Sequence, residues 1–299
     1  MILLGWLIHC LIIFLAVAFF SLFERKLIRF FHNRTGPNKV SFIGLTQGLV
    51  DALKFFFKQS ILPHQSNKLT YSLSPRFSLL VACIVWMTMP SLYITLSINY
   101  SLLSFFCLAS IIVFSVLLAG WASNSKYSLI GRLRSVAQSI SYESVFSTLL
   151  VLLIFIGLTF SIRRFESQSR VIFILLMPLW FICRLAESHR APFDFRESES
   201  ELVSGYNTEY SSANFAFVIL SEYIIVLYSC ILITYLFISF LFPINQMFLS
   251  IFTIIFTFLV TWVRITFCRF RYDMLMIVSW KVFLPFTLSL FLSLIFMLL

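Results

Sequence analysis

The residues that could do chemistry are carboxylates, 12 of them in 299 residues, and their placement is uneven. Glu24 ends an apolar run, Glu143 begins another and Glu187 ends a third, while Glu222 lies about two turns inside a fourth. A carboxylate in an apolar helix is costly unless it is paired, protonated or facing a wet cavity. Glu197, Glu199 and Glu201 crowd into one short polar stretch, where mutual repulsion couples their titrations. Such a series is what a proton relay across a membrane requires. The plain alternative is local pairing, with Glu24 neutralised by Arg25 and Asp51 by Lys54.

The elements that must position these groups follow from composition. Hydrophobic residues make up 60% of the chain and charged residues 11%, with a mean hydropathy of +0.98. A soluble chain of this length cannot hide that much apolar surface, so lipid must solvate much of it. In hydrocarbon every backbone polar group has to be paired internally, which leaves helices or a closed barrel. The apolar stretches are continuous rather than alternating, which excludes the barrel. The expected fold is therefore an all-α integral membrane protein, a single domain over 1–299. About eight transmembrane helices are expected, near 2–22, 77–97, 102–122, 144–162, 171–186, 215–242, 247–263 and 282–299. Gln47–Lys58 adds a short amphipathic helix in the membrane plane, with Leu49, Leu53, Phe56 and Phe57 on its apolar side and Asp51, Lys54 and Lys58 on the other.

Charge asymmetry supports this topology. With eight spans, all 22 basic residues except Arg163, Arg164 and Arg170 fall on one side, as the bias of basic loops toward one compartment demands. Every carboxylate except Glu166 lies on that same side or in a helix opening onto it. The segment Arg184–Tyr210 is the longest polar break in the second half, and Pro192 disfavours helix at Ala191. Its length points to a working loop or a docking surface.

Other function classes fail. The net charge of +10 is scattered over membrane loops and forms no stripe for nucleic acid. None of the 6 cysteines stands in a C-x-x-C pair, so no iron–sulfur, zinc or disulfide framework is expected, and no other metal site. No phosphate-binding glycine loop is present for a nucleotide.

Four blocks of sequence carry a resemblance. They are Phe23-Glu24-Arg25-Lys26 with Asn33-Arg34-Thr35-Gly36-Pro37-Asn38, Trp121–Gly131 through Ser141-Tyr142-Glu143, Ala186–Asp194 with Glu197–Tyr210, and Arg269–Asp273 with Trp280-Lys281. Long, ordered and spread over nearly the whole chain, they resemble the NADH–ubiquinone oxidoreductase chain 1 family, the quinone-site membrane subunit of respiratory complex I. Arg29 and Ser198 stand where the family usually has glycine, and His189 where it usually has asparagine.

The resemblance implies a subunit of a proton-translocating NADH:ubiquinone reductase in the mitochondrial inner membrane, with no activity expected from the isolated chain. It implies ubiquinone as substrate, admitted from the bilayer through a tunnel framed by the first span, the interfacial helix and the sixth span. Arg25, Arg34, Asp51 and Arg269 would line or gate that tunnel. Glu143, Glu187, Glu197, Glu199, Glu201, Glu209 and Glu222 would begin the carboxylate path, on the matrix side. Other complex I subunits and membrane lipid are the implied partners, and NADH, FMN and the iron–sulfur clusters would belong to other subunits. Two alternatives stay open: the related membrane subunit of a hydrogenase-type complex, and a stand-alone ion transporter. The latter usually sets its ionisable groups near the bilayer midplane within repeats, and neither feature is seen here.

Overall fold

Apolar runs interrupted by short polar breaks fold into helices throughout the computed structural model, which describes residues 2–89, 99–162, 172–194, 209–238 and 246–298. Among these residues there is no strand. Helix α1 spans Ile2–Phe31, α2 Gln47–Phe57, α3 Lys68–Trp86, α4 Ser101–Ala122 and α5 Lys126–Gly157. After α6 (Ile172–Glu187) come α7 (Ser212–Ile233), which runs into a π-turn at Thr234–Ile238, and α8 (Gln246–Thr266). The last helical stretch is α9 (Tyr272–Ile277), a π-turn at Val278–Phe283, and α10 (Leu284–Leu298).

Among the described residues, 7 helices are long and apolar enough to cross a membrane. The remaining predicted span is α6, of which 16 residues are described, the residues just before Ile172 lying outside the described ones. At the observed 30 residues, α1 is about 45 Å long, so its charged last turns reach past a core of about 30 Å.

Four span boundaries differ clearly from the sequence expectation, all because hydropathy reads polar residues as loop, the first being the end of α1 at Phe31 rather than 22. The predicted fourth span begins at 144, yet α5 begins at Lys126, so Glu143 sits inside a 32-residue helix rather than at its start. Its first half is rich in serine, and those hydroxyls bond back to carbonyls one turn earlier. Ser135 donates to Arg132 O at 2.9 Å, and Ser139 and Ser141 donate to Val136 O and Gln138 O at 2.8 Å. The polar half is thus satisfied within the helix and can pack inside the protein. Likewise α3 starts at Lys68 rather than 77, and the last stretch starts at Tyr272 rather than 282. The expected end of the second span, at 97, lies outside the described residues.

Packing places α3 against α4 and α7, α4 against α5, and α5 against α6, while α1 lies against α2, α7 and α8. Aromatic side chains fill the centre. Phe105 stacks on Tyr228 with centroids 4.9 Å apart, and Phe146 meets Trp180 at 4.5 Å. The outward faces carry exposed Leu7, Leu11 and Leu15, as a lipid-facing surface should.

Helix α2 lies at the edge of this bundle. Phe55 and Phe56 contact Phe215 and Phe217 of α7, at 5.7 and 6.0 Å between rings, while Leu49, Leu53 and Phe57 stay exposed. Gly48 permits the close approach, because a Cβ there would stand 2.7 Å from the Ala18 carbonyl oxygen of α1. The amphipathic expectation holds, with Phe56 touching Phe217 while remaining 53% exposed.

Candidate functional site

Glu24 is held by three side-chain donors from other parts of the chain. It is 3% exposed in the penultimate part of α1. Arg190 donates to its Oε1 at 3.1 Å, Arg264 donates to the same oxygen, and the Tyr223 hydroxyl donates to Oε2 at 2.8 Å. The Arg190 guanidinium also lies 4.3 Å from the centroid of the Tyr223 ring. Burial disfavours the Arg190 cation, but Glu24, with Tyr223 and Glu222, more than offsets this and holds the guanidinium above its ordinary range. Arg190 follows α6 and Arg264 lies in the last turn of α8, so the far ends of α1, α6 and α8 meet on one side. The charge partition of the sequence predicts that sidedness.

Neither of the two local pairs read from the sequence, Glu24 with Arg25 and Asp51 with Lys54, forms. Adjacent residues on a helix point about 100° apart, so Glu24 and Arg25 cannot face one another. Instead Arg25 Nη1 reaches Asp51 Oδ2 of α2 at 2.6 Å, and the Gln47 amide donates to Asp51 Oδ1 at 2.8 Å. Asp51 is therefore not neutralised by Lys54.

The segment after α6 is anchored from α5 and from the stretch between α8 and α9. Gln138 of α5 donates from Nε2 to Ala186 O at 3.0 Å and to Phe193 O at 2.8 Å. The Phe270 amide donates to Pro192 O at 3.1 Å, and the Phe193 and Phe270 rings stack 5.8 Å apart. Asp194 pairs with Arg269 at 3.7 Å, and the Ala191–Pro192 bond is cis. Within α6, Arg184 bonds Glu187 one turn on. That arginine is buried at 2% exposure, its guanidinium 4.9 Å from the Phe105 centroid and 5.3 Å from that of Phe146.

Between α3, α4, α5, α6 and α7 lies a cavity of ≈ 70 Å³. At roughly 10–15 Å³ of this measure per molecule, it has room for several waters. Glu187 and Glu222 both line it, with Arg132, Arg184 and His189 and the hydroxyls of Ser74, Ser78, Ser139 and Ser221. Gly120 makes space for Arg132, whose Cγ would stand 2.1 Å from any Cβ at that position. A second hollow of ≈ 430 Å³ on the far flank is apolar, walled by Pro178, Phe193, Phe267, Phe270 and Phe283.

The predicted site residues thus fall into separate groups. Glu187 and Glu222 share the cavity, and Glu143 lies on the neighbouring face of α5, within electrostatic reach of Glu187. Glu209 stands beside it in the fold through its backbone, whose carbonyl accepts the Tyr71 hydroxyl. Tyr71 stacks on Tyr210 at 4.3 Å between centroids, and Tyr210 shares a hydrogen bond with Ser74 of the cavity wall at 3.1 Å. Burial raises the Tyr210 phenol above its ordinary range. Glu197, Glu199 and Glu201 lie outside the described residues. Arg25 and Asp51 form one pair and Arg269 joins Asp194 in another, whereas Arg34 is exposed just beyond α1 and enters none of the described ion pairs.

Sequence reasoning named Glu24 among the costly acids but gave it Arg25 as partner, and it did not select Tyr223, Arg190, Arg264, Arg132 or Arg184. The usable signal for Glu24 was helix geometry: a buried acid cannot pair with its i+1 neighbour, so its partner had to come from elsewhere. Among the described residues no three His, Cys, Asp or Glu side chains gather as a metal set, and the 6 cysteines are free.

Long apolar helices, an amphipathic helix clamped to their edge and buried ion clusters at one end define a multi-pass membrane protein that gathers charge at one face. The match to a family profile described as NADH dehydrogenase runs over residues 4–295. The chain is 42% identical to NADH-ubiquinone oxidoreductase chain 1 of Aedes aegypti, covering 96% of this chain and 93% of that one. It is 43% identical to the protein of the same name from Anopheles gambiae (96% and 92% covered) and 41% identical to that of Heterololigo bleekeri (98% and 96%). It belongs to the NADH dehydrogenase family, among its chain 1 members.

Proposed function

We propose that this chain is the membrane subunit of NADH–ubiquinone oxidoreductase that admits ubiquinone from the mitochondrial inner membrane and passes the effect of its reduction to proton translocation. Hydride oxidation and electron relay, through NADH, FMN and iron–sulfur clusters, then belong to other subunits of the assembly. Ubiquinone takes up two electrons and two protons to become the quinol, so a reduction site beside the membrane needs charge compensation there. The chain supplies it in two places. Arg25 and Asp51, where α1 and α2 meet at the bundle edge, serve the quinone side together with Arg34 beyond α1 and Arg269 between α8 and α9. Glu143, Glu187, Glu209 and Glu222, with Glu197, Glu199 and Glu201, serve the proton side.

The single observation that carries this reading is the cavity. It sets Glu187 and Glu222 on one hollow with hydroxyls that can bridge water, and two buried arginines beside them hold the negative charge that proton loss leaves. The shared chain 1 name of the relatives favours this reading over a hydrogenase-type subunit.

The test uses the assembled complex in its membrane. Glu222→Gln and Glu143→Gln keep shape and remove the titratable proton. Each is expected to cut quinone-linked turnover by about 100-fold or less, and proton pumping with it. NADH oxidation by an artificial acceptor that bypasses quinone should stay normal. Full turnover and full pumping in both variants would leave the carboxylates with a structural role only.

A further inference from the structure

Three pairs of sequence neighbours run between the bundle edge and the cavity, and each pair splits its two side chains between different surroundings. In the first pair, Arg25 bonds Asp51 of the interfacial helix while Glu24 turns inward. In the second, Arg190 bonds Glu24 while His189 lines the cavity. In the third, Tyr223 donates to Glu24 and lies under the Arg190 guanidinium, while Glu222 lines the cavity. Glu24 is the one group that touches all three pairs. Arg264 closes the ring of donors from α8.

We infer that Glu24 is a positioning residue for the cavity carboxylates: by holding Arg190 and Tyr223 it fixes where His189 and Glu222 stand, and it ties that placement to the α2 edge through Arg25. The argument is geometric. Each held side chain is joined to its cavity-facing neighbour through a single peptide unit, so pinning Arg190 and Tyr223 restrains the backbone that carries His189 and Glu222. Glu24 is nearly sealed from solvent, and its carboxylate holds three donors from three other elements, so those elements cannot move independently while it is ionised. Arg190 also feels the charge of Glu222, which lies one residue from its stacking partner. Glu24 itself does not line the cavity, so its effect on proton handling runs through Arg190 and Tyr223.

This inference rests on the proposed function, and the experiment separates the two. Three single variants are made in the assembled complex, Glu24→Gln, Glu24→Asp and Glu222→Gln, with the double variant Glu24→Gln/Glu222→Gln. Assembly is confirmed by native electrophoresis and by NADH oxidation with a bypassing acceptor. Coupling through a packed network predicts that Glu24→Gln lowers kcat for quinone reduction by about 2- to 30-fold, with the KM for a short-tailed quinone little changed. Glu24→Asp should recover part of that loss. The double variant should be no worse than Glu222→Gln alone, because two residues acting through one network do not add.

Losses that multiply in the double variant, or normal kcat and pumping in Glu24→Gln, overturn the inference and leave the proposed function standing. A normal Glu222→Gln instead overturns the carboxylate reading itself. Should Glu24→Gln not assemble, Tyr223→Phe keeps the ring under Arg190 and removes one donor from Glu24. The same kcat effect and the same failure to add with Glu222→Gln are then expected, and additive losses refute it.

Discussion

Glu24 and Glu222 are the same residue type, linked through Tyr223, and the structure treats them oppositely. Glu24 is sealed at 3% exposure and accepts from two arginines and a phenol. Glu222 is only partly buried and faces a hollow shared with Glu187 and several hydroxyls. The first arrangement surrounds the carboxylate with three donors, two of them cationic, and leaves it off the cavity. The second leaves room for water and for a proton to arrive and leave. Burial alone therefore does not mark a proton-carrying acid; what surrounds the buried oxygen atoms decides.

The comparison can be broken most forcefully at Glu24. Replacing it with leucine strands two cations, one of them buried, and should cost about 3–5 kcal/mol, enough to deplete the assembled complex on native gels. Survival of normal amounts would mean that the cluster is not a structural lock. At Glu187 the expected loss is smaller. Glu187→Gln removes the charged partner of buried Arg184 at a cost of about 1.5–3 kcal/mol, so complex persists with a lowered thermal midpoint while quinone-linked pumping falls by about 10-fold or more. Pumping that stays at wild-type level would place the proton path elsewhere.

Gly48→Val probes the edge rather than either acid. Its side chain would collide with the Ala18 carbonyl and lift α2 from α1, costing about 1–3 kcal/mol. The KM for quinone should rise more than kcat falls, and unchanged quinone kinetics would remove α2 from the quinone side. Least is expected at Arg271, whose pair with Asp273 is 79% and 66% exposed. Arg271→Gln should shift stability by about 0.5 kcal/mol or less, measured as the thermal midpoint of the complex. A larger shift would show that this pair is covered in the assembly.

The apolar runs made the helical membrane fold readable from sequence, and the basic residues made its sidedness readable, because lipid imposes simple rules on both. The start of α5 was not readable. Ser135, Ser139 and Ser141 look like loop residues in a hydropathy profile, although their hydroxyls bond within the helix. Glu143 was therefore placed at a helix start and is found well inside one. Glu187 and Glu222 were recognisable as acids in costly places, but their shared cavity depends on the packing of five helices, which no local pattern encodes. Arg25 and Asp51 were chosen from the family resemblance, and their mutual bond is a product of how α2 folds back on α1. Partners as distant as Glu24 and Arg264 leave no trace in spacing.

Gly120 and Arg132 meet across the short connection between α4 and α5, Ser123–Ser125. That proximity has a consequence for biosynthesis. The two helices leave the ribosome one after the other, so the niche that accepts the arginine stem is already in the membrane when the arginine arrives. α4 and α5 can then be inserted together as a hairpin, and the polar half of α5 never has to meet bare lipid on its own.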